Sequence, residues 1–266
     1  MLVFVSDPWQ PELYDRFATE RHAPFRELLA LIRPRAGMRL LDLGCGTGEL
    51  TARLHAHLDA AATLGVDRSA AMLEAGVQLS DDARLRFRRM DVREALADLA
   101  AGDERLDLVF SHAALHWLDD HEELFARMTE ALGEGGQLAV QMPFNHGHES
   151  HRVAAELARE EPFAEGLGGW VRTSPVQPPE IYASLLDRLG FAEQHVRVQV
   201  FLHHLESRDE VVDWVRGTTL TAYGARMDPD LFDRFLALYR ERLLERLRDD
   251  RPYSFAFPRL LLWAQR

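Results

Sequence analysis

Residues 39–142 repeat one rhythm: a short apolar run, a polar break, then a stretch with helical spacing. The runs are Arg39–Leu43, Ala62–Val66, Leu85–Met90, Leu106–Ser111 and Gly136–Met142. The helical stretches between them are Glu49–Leu58, Ser69–Leu79, Arg93–Leu99 and Asp120–Leu132. Strands alternating with helices of this length predict βαβ units and a parallel sheet. Several runs are apolar almost throughout, as in Leu106-Asp107-Leu108-Val109-Phe110, which is how strands covered on both faces read. Right-handed crossovers between them give a doubly wound α/β sheet. The helix before the fifth strand is expected to start at Asp119 or Asp120, with Glu122 and Glu123 in its first turn, and to stop at Gly133.

After Met142 the rhythm breaks. Pro143 to Pro179 holds five prolines with Gly, His and Trp, and reads as a loop-rich cover with one helical piece near Arg152–Glu160. A helix over Pro179–Leu189, closed by Gly190, leads to a strand at Glu193–Leu202 that alternates Val196, Val198, Val200 and Leu202. Ser207–Arg251 is helical again, with an amphipathic stripe at Leu236, Tyr239, Leu243 and Leu247, and Leu260–Trp263 form a last short strand.

Charge and residue usage exclude several classes. The formal net charge is -12, so phosphate backbones are repelled and a nucleic-acid partner is not expected. All 31 basic residues are Arg, which removes lysine Schiff-base chemistry and a P-loop lysine. One Cys allows neither an intrachain disulfide nor a cysteine zinc cage. No run of about 20 apolar residues is present and Met1–Gln10 lacks a signal-peptide pattern, so the expected address is the cytoplasm, away from membranes. His146, His148 and His151 match no familiar ligand spacing and are read as a solvated loop, and no metal is expected.

The chemistry concentrates in Leu40-Leu41-Asp42-Leu43-Gly44-Cys45-Gly46-Thr47-Gly48, where an apolar strand ends in an acid and a glycine cluster just before a helix. Glycine here permits φ > 0 and a close approach of a ligand to the main chain. The spacing is Gly-x-Gly-x-Gly; Glu49 stands where the dinucleotide fingerprint needs its third glycine, which argues against a nicotinamide oxidoreductase. Asp42, close to a helix N-terminus, is suited to a ligand ammonium group. Acids recur at the next two strand ends, Asp67 and Asp91. Each is also a plausible helix N-cap.

This loop and its register of acids resemble the class I S-adenosylmethionine-dependent methyltransferases. The resemblance implies a Rossmann-like, mostly parallel seven-stranded sheet with a helical insertion before the last strand. It also implies S-adenosyl-L-methionine as cofactor, held by Asp42, Gly44, Cys45, Gly46, Gly48, Asp67 (ribose), Arg68, Met72, Asp91 (adenine side), Val92, Ser111, His112 and Ala113. The Asn/Asp-Pro-Pro-Tyr/Phe tetrad of many amino-group methyltransferases is absent, since Ser111-His112-Ala113-Ala114 stands there.

Beyond the core, the chain is similar to the trans-aconitate 2-methyltransferase family. The strings that carry this are Trp9-Gln10-Pro11-Glu12-Leu13-Tyr14, Leu115-His116-Trp117-Leu118-Asp119-Asp120-His121, Ala139-Val140-Gln141-Met142-Pro143, Val212-Asp213-Trp214-Val215 and Phe257-Pro258-Arg259-Leu260. The resemblance implies methyl-ester formation on a small polycarboxylic acid within one domain over 1–266. That domain divides into an N-terminal helical lid at 1–35, a cofactor core at 36–143, a cover at 144–178 and a substrate-contacting insertion at 207–251. Arg forks, Tyr and His tips and apolar walls suit such an acid. The candidates are Trp9, Tyr14, Arg21, His116, Trp117, Trp214, Tyr223 and Arg259, with Arg172 a further one on the cover. A different small acid or a malonyl-carrier-like thioester remains the alternative acceptor, and a non-catalytic cofactor-binding protein the alternative class. No residue after the fourth strand stands out as a dedicated base, with His116 the nearby candidate, and the sequence leaves the oligomeric state open.

Overall fold

The computed structural model describes residues 18–76 and 82–266. Helix α1 (Ala18–Leu29) precedes β1 (Arg39–Leu43), α2 (Glu49–Leu58), β2 (Ala62–Asp67), α3 (Ala70–Gly76), β3 (Leu85–Arg89), α4 (Val92–Ala100) and β4 (Leu106–His112). A 3-10 turn (Leu115–Trp117), α5 (His121–Glu130) and β5 (Leu132–Pro143) complete the alternating part. Then follow α6 (Glu149–Leu157), α7 (Phe163–Gly166), α8 (Pro179–Arg188), β6 (Glu193–Leu205), α9 (Asp209–Arg216), α10 (Thr221–Gly224), α11 (Pro229–Arg246) and β7 (Tyr253–Gln265).

The seven strands lie in the order β3-β2-β1-β4-β5-β7-β6. β3, β2, β1, β4 and β5 are mutually parallel along that order, and β7 runs antiparallel to β5. From β1 the chain winds outward through β2 to β3, then returns to β4 on the other side of β1. The switch between β1 and β4 opens a crevice at the carboxyl ends of the strands, where ligands bind in such sheets. The strands beside it are buried as expected: β1 is covered from Leu40 to Leu43, and β4 is buried through Leu108–His112.

Two boundaries differ from the sequence reading, each because strand pairing overrides local signals. α5 ends at Glu130, and Gly133, Gly135 and Gly136 lie inside β5 instead of stopping the helix. β7 is 13 residues long, and its register with β5 runs over its second half, from Gln137↔Gln265 to Pro143↔Arg259. Asp120 occupies the N-cap of α5 in the left-handed region (φ 58°), and no side chain caps the helix there.

The chain divides into two compact units. The first comprises Arg21–Pro143, Pro175–Gln199 and Pro258–Arg266; the second includes Phe144–Ser174 and Val200–Phe257. The first holds the sheet core, including Leu40, Phe110, Val140 and Trp263. The second has its own core, in which α6, α9 and α11 pack around Phe163, Trp214, Tyr223, Phe235, Tyr239 and Phe255. The buried stripe of α11 is Phe235, Tyr239 and Leu243. The cover is more helical than expected, since the ring of His148 accepts from the Ser150 N–H and starts α6 at Glu149. His148 and His151 therefore belong to the start of α6 and not to a solvated loop, whereas His146 is exposed in the turn before it, as expected. His148 packs its ring 5.1 Å from that of Phe255, and His151 is pushed down to about 3 by burial and then by the neighbouring Arg172.

Candidate functional site

The glycine loop is fixed by main-chain bonds. The N–H groups of Gly44 and Cys45 both donate to the carbonyl of Val66, at 2.9 and 3.0 Å, so the loop is tied to the end of β2. Gly44, Gly46 and Gly48 take φ of 77°, 58° and 80°, in the region where a side chain is strained. Two of the three also have no room for one. A Cβ on Gly44 would sit 2.2 Å from Cβ of Ala114, and one on Gly48 would sit 2.6 Å from the ring of Phe87. Gly46 faces open space, with nothing within 4 Å of a Cβ. Two glycines thus serve packing, and the middle one leaves space beside the main chain. No side chain caps α2, whose N-cap is Gly48, so its first turn depends on other partners for its N–H groups.

Asp42 and Asp67 meet at this loop. Asp67 accepts from the Gly46 N–H through Oδ2 and from the Ser69 N–H through Oδ1, both at 2.9 Å. It therefore joins loop to β2 while its remaining lone pairs stay open to hydroxyl donors. Asp42 is 3% exposed. Its Oδ2 accepts from Thr51 Oγ at 2.6 Å, while Oδ1 has no partner among the described residues. Burial pushes its carboxyl up to about 7; the Thr51 hydroxyl opposes this, and the charge of Asp67 adds to it. A buried carboxylate oxygen without a donor is a specific demand, and a ligand ammonium group meets it. The amino-acid half of S-adenosylmethionine carries that group, and the space at Gly46 gives it a path along the main chain. The residues present fit the cofactor.

The other expected residues spread around this centre. Ser111 is fully buried, and its Oγ donates to the carbonyl of Leu43 at 2.7 Å, which fastens β4 to β1 beneath the loop. Ala113 takes φ 54°, and its N–H donates to the carbonyl of Gln141. His112 is buried, its ring edge-on to Phe25 at 6.0 Å. Cys45 is half-buried, and its thiol is pushed up by burial and by the charges of Asp42 and Asp67, the reverse of what a nucleophile requires. Met72 and Val92 are buried and Arg68 is exposed. Asp91 caps α4, accepting from the Arg93 N–H at 2.8 Å, and Glu94 returns a bond to the Asp91 N–H. His116 and Trp117 are half-buried neighbours in the 3-10 turn, their rings 5.0 Å apart. Arg259 is 3% exposed on β7.

In the second unit, Trp214 stacks on His203 at 5.1 Å. Tyr223 is buried, its hydroxyl raised by burial while accepting a backbone N–H from Arg172. Tyr223 and Arg172 are thus brought together. Trp9 and Tyr14 lie outside the described residues, as do residues 1–17 of the expected lid at 1–35. Arg21 lies in α1, and its side chain is not among those described. The sequence reading missed Thr51, which holds Asp42, and Phe87, whose ring forbids side chains at Gly48 and Gly65. Neither residue type carries a motif; each acts through a contact that exists only in the folded sheet.

A sheet in this order, with a glycine loop after β1 and acids closing β1 and β2, defines a class I S-adenosylmethionine-dependent methyltransferase. A methyltransferase domain family matches residues 40–136. The fold is similar to that of the YcgJ protein from Bacillus subtilis, with a TM-score of 0.56 at 13% identity, covering 92% of this chain and 98% of that one. The chain is 42% identical over 265 residues to a trans-aconitate 2-methyltransferase of Deinococcus radiodurans, covering 97% of this chain and 98% of the relative. It is 34% identical over 261 residues to one of Escherichia coli, with the same coverage. The chain belongs to the trans-aconitate 2-methyltransferase family.

Proposed function

We propose that this protein methylates a carboxylate oxygen of trans-aconitate, using S-adenosylmethionine, and releases a methyl ester. The observation that carries the reading is similarity of 34–42% identity along nearly the whole chain to relatives named for that reaction. Class I structure alone would leave the acceptor open.

Asp42, Asp67 and the main chain at Gly46 would hold the cofactor. When bound, it supplies an electrophilic methyl group on a sulfonium. The acceptor's carboxyl, with a pKa near ~4, is ionised at neutral pH, so its oxygen needs no general base. The protein's task is then to orient that carboxylate in line with the methyl and to exclude water. His116 is not required to move a proton. Arg259 supplies a buried cation for a carboxylate, and Tyr223, Arg172, Trp117 and Trp214 are further contacts for a small polar acid. Trp9, Tyr14 and Arg21 remain part of the proposal as contacts from the N-terminal segment. Asp91, Arg68, Met72, Val92, His112 and Ala113 are proposed to line the cofactor's path. No described helix is long and apolar enough to cross a membrane.

The test is product chemistry. Incubation with methyl-labelled cofactor and trans-aconitate should move label into an extractable species that releases it in mild base. Label that resists base, or that requires a thioester or amine acceptor, would refute the reading.

A further inference from the structure

Gln141 interrupts the apolar run of β5, and its side chain is 0% exposed. Neither Oε1 nor Nε2 has a hydrogen-bond partner among the described residues. Burial in this strand does not force that outcome. Gln137, four residues earlier on the same face, is also fully buried, yet its Oε1 accepts from the Arg33 N–H at 2.8 Å and from Trp263 Nε1 at 2.9 Å. Its Nε2 donates to the Arg33 carbonyl at 2.8 Å. A buried amide with both ends unmet is rare in native proteins and calls for a partner from outside the fold.

The sheet register shows what surrounds it. His112 lies opposite Gln141 on β4, Leu261 lies opposite it on β7, and Arg259 is opposite Pro143, one pleat further toward the carboxyl end of β5. Residues paired in register share a face, so His112, Gln141 and Arg259 stand together on one side of the sheet, and diagonal neighbours are within reach of long side chains. All three are nearly closed to solvent. They stand on β4, β5 and β7, one, two and three strands from β1, across the switch point from Asp42.

We infer that Gln141 is an acceptor-binding residue, which with His112 and Arg259 forms a floor for a carboxylate at the carboxyl ends of β4 and β5 and the adjoining middle of β7. The Nε2 group donates to a carboxylate oxygen, and Oε1 takes a donor from a water that enters with the acid. A neutral amide suits this place. It fixes a carboxylate by geometry while drawing less charge from it than a second guanidinium would, and so keeps an attacking oxygen nucleophilic. The inference rests on the acceptor reading given under Proposed function.

The experiment uses the full chain and two variants, Gln141→Met, which keeps the unbranched shape, and Gln141→Glu, which sets a carboxylate where the acid should bind. Binding of trans-aconitate is measured calorimetrically in the presence of S-adenosylhomocysteine, so that no turnover occurs, alongside melting temperature and cofactor affinity. Gln141→Met should melt at or above the wild-type temperature, since an unmet amide has been removed. It should bind the cofactor within twofold and trans-aconitate at least tenfold more weakly; Gln141→Glu should abolish acceptor binding. Acceptor affinity within twofold of wild type in Gln141→Met would overturn the inference. So would a melting point several degrees lower, which would reveal a structural partner for the amide, or tight acceptor binding by Gln141→Glu. Wild-type protein that does not bind trans-aconitate refutes the acceptor reading itself, a result distinct from wild-type binding that the variants leave intact.

Discussion

Replacing Asp42 by Asn should stabilise the ligand-free protein at pH 8 and at the same time weaken cofactor binding. The carboxyl is 3% exposed, keeps one oxygen without a donor, and has its pKa raised from 3.8 to about 7. A shift of one unit corresponds to about 1.4 kcal/mol, so holding Asp42 ionised in the native state costs up to about 4 kcal/mol against the unfolded chain. The folded pKa lies above the unfolded one. Between about pH 4 and 7 the native state therefore binds the extra proton, and Asp42 subtracts stability as pH rises through that window. Below pH 4 the carboxyl is neutral in both states, and Asn should bring no gain. Above pH 7 the variant should melt higher, by roughly 5–10 °C for a chain of this size. Melting curves of the ligand-free wild type and variant from pH 4 to 9 measure the difference directly, and other titrating groups cancel in the comparison. Cofactor binding should draw the wild-type carboxyl into its ionised form. Calorimetry near pH 6.5, in two buffers of different ionisation enthalpy, should then show proton release for the wild type and none for Asp42→Asn. The variant's cofactor affinity should fall by at least about tenfold, or ~1.4 kcal/mol. A variant less stable than wild type at pH 8, or a stability difference that does not change between pH 4 and 7, would refute the reasoning.

Asp67→Ala removes an acceptor shared by the loop and, on our reading, the ribose; S-adenosylhomocysteine affinity should drop roughly 5- to 150-fold by calorimetry, for ~1–3 kcal/mol. Gly44→Ala should lose about 2–4 kcal/mol of stability, because its Cβ would overlap that of Ala114 at 2.2 Å in a left-handed backbone. Gly46→Ala should cost only about 1 kcal/mol, the left-handed strain alone, yet lose more cofactor affinity; denaturant titration and calorimetry on both variants would expose a reversed order. At saturating cofactor, kcat should stay flat from roughly pH 6.5 to 9, and His116→Gln should keep most of it. A single ionisation near ~6.5 that disappears in His116→Gln would mean that the acceptor is a hydroxyl or an amine.

Much of this protein is local information. The period of β1 to β5, the Gly-x-Gly-x-Gly spacing and the acids at 42, 67 and 91 follow from the chain alone, because covered strands must be apolar and a ligand-approached turn must be glycine. Sequence could not distinguish the three glycines of the loop. Only packing against Ala114 and Phe87 shows that two of them are steric necessities and that Gly46 is the one facing space. Nor could it say that Gly133–Gly136 would enter a strand, since pairing with β4 and β7 outweighs a helix-stop signal. His148 and His151 read as solvated for the same reason: burial is a property of neighbours such as Phe255 and Arg172, which are distant in the chain. Asp42 was recognisable as a site residue, but its raised pKa was not, because desolvation depends on the whole shell around it. Gln141 marks the limit most sharply. Its place in an apolar run was visible, while the fact that Gln137 finds partners and Gln141 finds none was decided by the tertiary fold, which brings Arg33 and Trp263 to one amide and leaves the other to a ligand.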